Sequence, residues 1–537
     1  MAQHAHSGMI IKQPTIELAT IEKSSFPRIR VEFLLNYTRP DTVGLRDFFG
    51  TASTSRASTP PALLFDELYS PTQFSISPEL NENLWDSFHE SREIHLLPIF
   101  QPSLQRRLVE LTFQLKAAHE LHTTRSGAAL PVCVLEDMET LFTVDNLLEF
   151  TRLYFDNWHC NCPIIHQPSF NLEIISLPLL LAVFLIGATY SFPRDTASMA
   201  RECLDLAENF AFEHRDFKDI FLFEKVPHLA AKSSIEALQA TFLVAVLQNW
   251  QNGSLSRRRM RTKRYSEIVS AARLLGLTSA TNNLPLISDA HSESFNWNEC
   301  FEAEANVRFA SHSTRKYLAT DECFRLMYYI FLVDCQYTIF YRYPPRLMVS
   351  EMTGGQPFCE EAFAAPDAAT CQRHLLNFQK SLSLSGCIQL LLAEDFESKD
   401  ISRMENLTTL NLFGIINGKH HDLKDTSFLA DFRPAFHSII YTMKANHFWP
   451  LNSHPISRAL SRWKVLWERH LERIDPQAFS KIGFMKNAVE FWHLTRIFLK
   501  TGMDPNVHEN KTLEGVDEDS MAGINSLLER FQGVSIS

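Results

Sequence analysis

From Leu177 to Tyr190 the chain reads LPLLLAVFLIGATY, 14 residues without a charged side chain. A membrane span needs about 20 such residues. The segment is too short to cross a bilayer and too apolar on every face to lie at a surface, so it predicts a helix buried on all sides. A helix of that kind needs a thick shell of other elements around it.

The flanking sequence has the period to supply that shell. In Asp145 to Trp158, Leu147, Leu148, Phe155 and Trp158 recur at helical spacing, with Asp145 expected to accept hydrogen bonds from the first free amides. Ser233 and Glu236 read as a capping box opening a helix that presents Ile235, Leu238, Phe242, Ala245, Val246 and Asn249 on one face. A further helix runs through Tyr265, Ile268, Val269, Ala272 and Leu275, and Gly276 follows as a left-handed cap. Cys323 to Tyr341 is apolar on most faces and is stopped by Pro344 and Pro345. Helical candidates continue through 369–396, 404–418, 455–471 and 479–500, while strand-type alternation is almost absent. The fold class is therefore all-α: a large multi-helix domain with a poorly ordered N-terminal region and a polar, acidic C-terminal tail.

The domain boundaries follow composition. Residues 1–61 read as a mostly disordered segment and linker, because the run TASTSRASTPP at 51–61 offers little to bury against the entropy of ordering it. Residues 62–142 form a partly helical connecting region with one amphipathic candidate, Leu104 to His122, and 143–501 hold the all-α body. In the tail, 502–537, Asp504, Glu509, Glu514, Asp517, Glu518 and Asp519 alternate with Leu513, Met521, Leu527, Leu528 and Phe531. Two readings fit that alternation: an activation segment that folds on a partner, or a solvated tail ending in a short amphipathic helix.

Several function classes drop out. With 17 glycines and neither GxGxxG nor GxxxxGK[ST], the chain lacks the turns that cradle nucleotide phosphates. Its ten cysteines are scattered, with none before Cys133 and Cys160 and Cys162 the only close pair, which implies reduced thiols rather than a disulfide framework. The first residues carry no charged segment followed by a long apolar one, so no secretory signal is expected, and no membrane partner either. No repeat of solenoid length and no sustained heptads are evident.

In YFDNWHCNCPIIHQPSF, ending at Phe170, an aromatic helix runs to a His and leads into a Pro-x-x-His-x-Pro-Ser-Phe turn. This resembles the signature of the fungal-specific transcription factor domain, with His159, Pro163, His166, Pro168, Ser169 and Phe170 in matching places. The following PLLLAVFLIGATYS resembles the family's next buried helix. IEALQATFLVAVLQNWQNG and then YSEIVSAARLLGL, with Arg273, Leu275 and Gly276, resemble its central helix pair. ECFRLMYYIFLVDCQYTIFYRYPPRL resembles the segment where an acidic residue and an Arg open a buried helix that carries an Asp and ends at paired prolines. Here those are Glu322, Arg325, Asp334, Pro344 and Pro345, so four blocks stand in order over about 200 residues. The stretch VEFLLNYTRP also resembles what precedes this domain in relatives with two-Cys two-His zinc fingers.

The resemblance implies a nuclear regulator of transcription, possessing an all-α regulatory domain and no catalytic residues, that governs a set of genes such as a secondary-metabolite pathway. Its implied partners are DNA, the transcription machinery or co-regulators, and a small-molecule effector. Relatives carry an N-terminal zinc module that reads the major groove. Residues 1–132 contain no Cys, and a structural zinc site of that kind needs cysteine ligands. No cofactor is expected in this chain, and zinc only with an upstream module; DNA is reached indirectly, through that module or a partner chain.

Three constellations remain. His159, Cys160, Cys162 and His166 place ligand-type atoms within eight positions, but not at zinc-site spacing, and the resemblance explains the histidines as turn residues. His420, His421 and Asp422 resemble the His-Asp pair of metal-dependent phosphohydrolases, which defines one rival function; a non-transcriptional helical adaptor is another. The run RRRMRTKR, with Arg257, Arg258, Arg259, Arg261, Lys263 and Arg264, reads either as a nuclear-import or phosphate-contacting patch or as the solvated start of a helix. The solvated reading is preferred, because the chain is acidic overall, at −11. Asp334, inside an apolar helix, is expected to be hydrogen-bonded within the core rather than to act as a tuned acid.

Overall fold

The structure, a computed structural model, describes residues 28–39, 101–126, 138–192, 194–222, 232–280, 313–341, 343–366, 368–375, 382–417, 454–503 and 521–534. Among these residues there are helices, turns and connecting segments, and no strand. The principal helices begin with α1 (Glu32–Tyr37), α2 (Pro102–Ser126), α3 (Val144–Leu153), α4 (Leu177–Ala188) and α5 (Leu204–Glu213). They continue with α6 (Lys232–Gln251), α7 (Ser254–Arg259), α8 (Tyr265–Leu274), α9 (Ser313–Tyr341) and α10 (Leu384–Leu392). The last four are α11 (Thr409–Asn417), α12 (His454–Arg473), α13 (Ala488–Met503) and α14 (Ala522–Phe531).

The apolar run at 177–190 sits where its composition requires. Every residue of α4 is buried, and α3 and α6 cover it from two sides. The approach of α3 is close enough that a Cβ on Gly187 would lie 1.8 Å from the Phe150 carbonyl oxygen. Leu181, Phe184 and Leu185 of α4 join one hydrophobic core that reaches from Ile29 to Leu528. No helix among the described residues is long and apolar enough to cross a membrane.

Several local expectations change. The first free amides of α3 are capped by Thr143, whose side chain accepts from the Asn146 N–H at 3.2 Å, and Asp145 lies inside the first turn. Glu236 makes no capping box: α6 begins at Lys232, and the carboxylate instead accepts the N–H of Ser176 at 2.8 Å, at the entry to α4. The face expected of α6 is too narrow, since fourteen of its residues are buried and Val246 is only partly covered. A helix crossed by neighbours on several sides cannot keep a single apolar stripe. Gly276 does adopt the left-handed conformation, at φ 70°, and the helix expected from Cys323 starts ten residues earlier, at Ser313.

Residues 28–39 and 521–534 belong to the same core. Leu34, Ile524 and Leu528 are buried in it. The Ser/Thr/Pro run at 51–61, the His420–Asp422 cluster and the acidic residues 504–519 lie outside the described residues.

Candidate functional site

The aromatic helix expected through Trp158 widens after Leu153 into a π-helical segment, Tyr154–Trp158, and closes with a single 3-10 turn, His159–Asn161. That change of pitch swings the chain into the turn holding Pro163, His166, Pro168 and Ser169. His166 Nδ1 and Ser169 Oγ are 2.8 Å apart, and the same hydroxyl donates to the His166 carbonyl at 3.3 Å. Phe170 packs edge-on against Phe155. Gln239 of α6 donates to the Ile164 carbonyl at 2.6 Å, and the His166 N–H donates to Glu322 Oε1 at 2.9 Å. The turn is thus fastened to two helices distant in sequence.

On α9, Arg325 is fully buried and makes three charge-assisted bonds. Its Nε reaches Asp321 at 2.7 Å, Nη1 reaches Glu360 at 2.8 Å and Nη2 donates to the Phe358 carbonyl at 2.8 Å. The guanidinium lies 4.1 Å from the Phe363 ring centroid, and Phe363 meets the His166 ring edge-on. Burial, with the nearby Arg325 charge second, holds His159 and His166 down to about 3. Both imidazoles are neutral near pH 7. Burial also pushes the Cys160 and Cys162 thiols up, which disfavours the thiolates a zinc ion would take. Among the described residues no three His, Cys, Asp or Glu side chains converge on a point where a metal could sit.

The far end of α9 repeats the device. Asp334 Oδ2 accepts the N–H groups of Arg346 at 2.8 Å and Leu347 at 2.9 Å, holding the turn that follows Pro344 and Pro345. Burial raises the Asp334 carboxyl, which the two amides oppose. Its acceptor faces backbone amides rather than an open cleft. Arg346 donates to Ser266 Oγ at 3.0 Å and to the Arg261 carbonyl. Arg273 grips Glu351 through two bonds, at 2.7 and 2.9 Å, and reaches the Arg346 carbonyl at 2.5 Å. Leu275 packs on the core beside the Gly276 cap. The third and fourth blocks are therefore sewn together, as the first and fourth are.

The basic run divides between the interior and the surface, with Arg261 and Arg264 buried. Arg264 and Arg259 both bond the carboxylate of buried Glu208, at 3.0 and 2.7 Å, and Arg259 also reaches Asp205 at 2.9 Å. Arg261 is buried, donates to Asn249 Oδ1 at 2.7 Å and lies 3.5 Å from the Tyr341 ring centroid. Arg257 is half-buried and bonds the Asn252 carbonyl at 2.7 Å. Arg258, Arg259 and Lys263 remain exposed. Sequence reasoning missed the acidic partners Glu208, Asp321, Glu351 and Glu360. The signal for one was present: Glu208 is the single acid within the apolar stretch LAENFAF.

Two pockets among the described residues, one lined by Phe324, Tyr328 and Gly355 and one by Leu391, Ile415 and Trp463, are small, about 10 and 20 Å³. Such a space holds about one water, not an effector. What the sequence blocks build is a polar seam joining the His166 turn, α6, α8 and α9.

A sequence model described as the fungal specific transcription factor domain matches residues 151–465, more than half of the chain. The chain belongs to this family. The fungal specific transcription factor domain thus takes in the His166 turn, the Arg325 and Asp334 clusters and most of α12. The chain is also 27% identical over 431 residues to "Transcription factor verF" of Penicillium polonicum, a match covering 74% of this chain and 54% of the relative. It spans about half the length of that curated relative. No solved structure matches the chain.

Proposed function

We propose that this protein regulates transcription in the nucleus, as the regulatory part of a fungal transcription factor that controls a dedicated gene set such as a secondary-metabolite pathway. The observation that carries the reading is the family match over residues 151–465, and the relative's own name agrees with it. The seam supports a scaffold role in particular. Its charged groups Arg325, Asp321, Glu360, Asp334 and Arg346 bond one another and backbone amides or carbonyls.

With no cysteine in residues 1–132, DNA reading falls to a zinc module outside these residues or to a partner chain. The domain biases the availability of that module, a coupling that requires two states with different contacts. Co-regulators bind its surface, and an effector would have to open a site larger than either cavity described. The proposed unit includes residues 28–39 and 521–534 with the 143–501 body, because all three share the core.

The test is to fuse the full chain behind a foreign DNA-binding module and measure a reporter carrying that module's site. A change of about fivefold or more relative to the module alone is expected, with deletion of the gene altering a restricted set of transcripts. A silent fusion that is nuclear and folded, together with an unaltered transcript profile, overturns the reading.

A further inference from the structure

Two short pieces from opposite ends of the sequence hold each other. The Ile29 N–H donates to the Val534 carbonyl at 3.0 Å, and the Gly533 N–H donates back to the Ile29 carbonyl at 2.8 Å. The Val31 N–H donates to Gln532 Oε1 at 3.0 Å. Asn525 Nδ2 donates to the Leu35 carbonyl and to Thr38 Oγ1, both at 2.9 Å. Gly533 sits at φ 76°, a conformation that turns the chain back toward Ile29. Ile524 and Leu528 of α14 are buried, with Met521 and Phe531 packed at the same helical spacing.

The other side of α1 leans on the body. Glu490 of α13 accepts the Phe33 N–H at 3.1 Å and the Leu34 N–H at 2.8 Å, supplying the cap that Val31 cannot. Tyr37 meets Trp250 and Phe340, and Phe33 meets Phe484 and Phe491.

Neither helix can stand by itself. α1 has six residues and α14 ten, whereas isolated helices shorter than about 12 to 15 residues are marginal in water. Each is helical because it is docked. α14 docks chiefly on α1, away from the completely buried α4.

We propose that α14 is a detachable latch: docked, it clamps residues 28–39 onto α13; detached, it frees them while α3 to α8 stay folded. This is an order-to-disorder device. Residues 28–39 are the strap tying whatever lies N-terminal to residue 28 to the body, so the latch sets how tightly such a module is held. That regulatory consequence rests on the transcriptional reading above; the latch itself does not.

The test is amide hydrogen exchange on the full chain, comparing wild type with Leu528→Asp, which puts a charge in a buried site, and with the milder Asn525→Ala. Exchange at residues 29–38 is expected to rise on the order of 100-fold in Leu528→Asp and about 10-fold in Asn525→Ala, with α4 and α6 unchanged. Protection of 29–38 that survives in both variants overturns the latch. So does an equal loss in α4 and α6, which would make α14 an integral part of the body. In the reporter fusion, Leu528→Asp is expected to change output by about threefold or more. Lost protection with unchanged output overturns the regulatory role of the latch. A silent wild-type fusion whose exchange behaves as expected overturns the transcriptional reading alone.

Discussion

Replacing Arg325 by Met tests the seam most directly. Methionine keeps the apolar stem but removes three bonds, leaving Asp321 to accept from the Phe358 N–H at 2.9 Å. The Arg325 and Asp321 side chains are 0% and 1% exposed, so the abandoned carboxylate cannot turn to water. Glu360, at 36%, can. The loss is that of one uncompensated buried charge, about 3–5 kcal/mol. Adding Asp321→Asn removes that charge while keeping an acceptor for Phe358, so the double variant should lose only about 1–2 kcal/mol, the worth of the missing bonds. A second substitution that repairs the first is the signature sought.

The assay is native-state hydrogen exchange at residues 324–341, converted to opening free energies, because a chain of this size need not unfold in two states. Its pH dependence has a fixed sign. Burial already raises the Asp321 carboxyl above its ordinary value, and removing Arg325 raises it further. A carboxyl with a folded value above its unfolded one gains stability as pH falls, so the Arg325→Met defect should shrink on acidification. A single-variant loss under about 1 kcal/mol, or a double variant worse than the single, would refute the assignment of Arg325 and Asp321 as a mutually dependent buried pair.

Asp334→Ala removes two amide caps and the Arg346 partner, and should cost about 2–3 kcal/mol with faster exchange confined first to residues 344–352. Gly187→Ala must push a methyl into the Phe150 carbonyl and should cost about 2 kcal/mol or more in thermal unfolding, whereas Gly253→Ala, with open space around it, should stay within about 1 kcal/mol. Within the basic run, Arg264→Ala should destabilise by about 2–3 kcal/mol and exposed Lys263→Ala by less than about 0.5, a contrast that equal losses would rule out. His159 and His166 are held to about 3 in the fold against an ordinary 6.5. The unfolded chain therefore takes up their protons first, and stability should fall as pH drops below about 6.5. His166→Asn should flatten that slope by about one proton, measured as the midpoint of urea unfolding against pH.

The helical class was legible because apolar period and the uncharged run at 177–190 are local properties of the sequence. Gly276 was legible for the same reason, since a left-handed cap is a one-residue requirement. The partners of the charged residues were not. Glu236 has the spacing of a capping box with Ser233, yet its carboxylate is taken by Ser176, sixty residues away. The run at 257–264 has the composition of a solvated or phosphate-binding patch, yet Glu208 and Tyr341 draw Arg264 and Arg261 inward, and Glu208 also bonds the exposed Arg259. Local spacing cannot reveal a competitor brought in by the fold. The segment VEFLLNY posed a similar difficulty: a six-residue helix has little signal alone, and its cap and cover come from Glu490 and α14.

The Ile29–Val534 pairing has a topological consequence. The chain enters and leaves the described body side by side, so two modules joined ahead of residue 28 and after residue 534 by short flexible linkers would meet at millimolar effective concentration, whatever their affinity in free solution. The same adjacency makes the protein a natural candidate for circular permutation: joining residues 28 and 534 and opening a new end elsewhere would preserve the body's contacts while converting two separate tethers into one continuous loop.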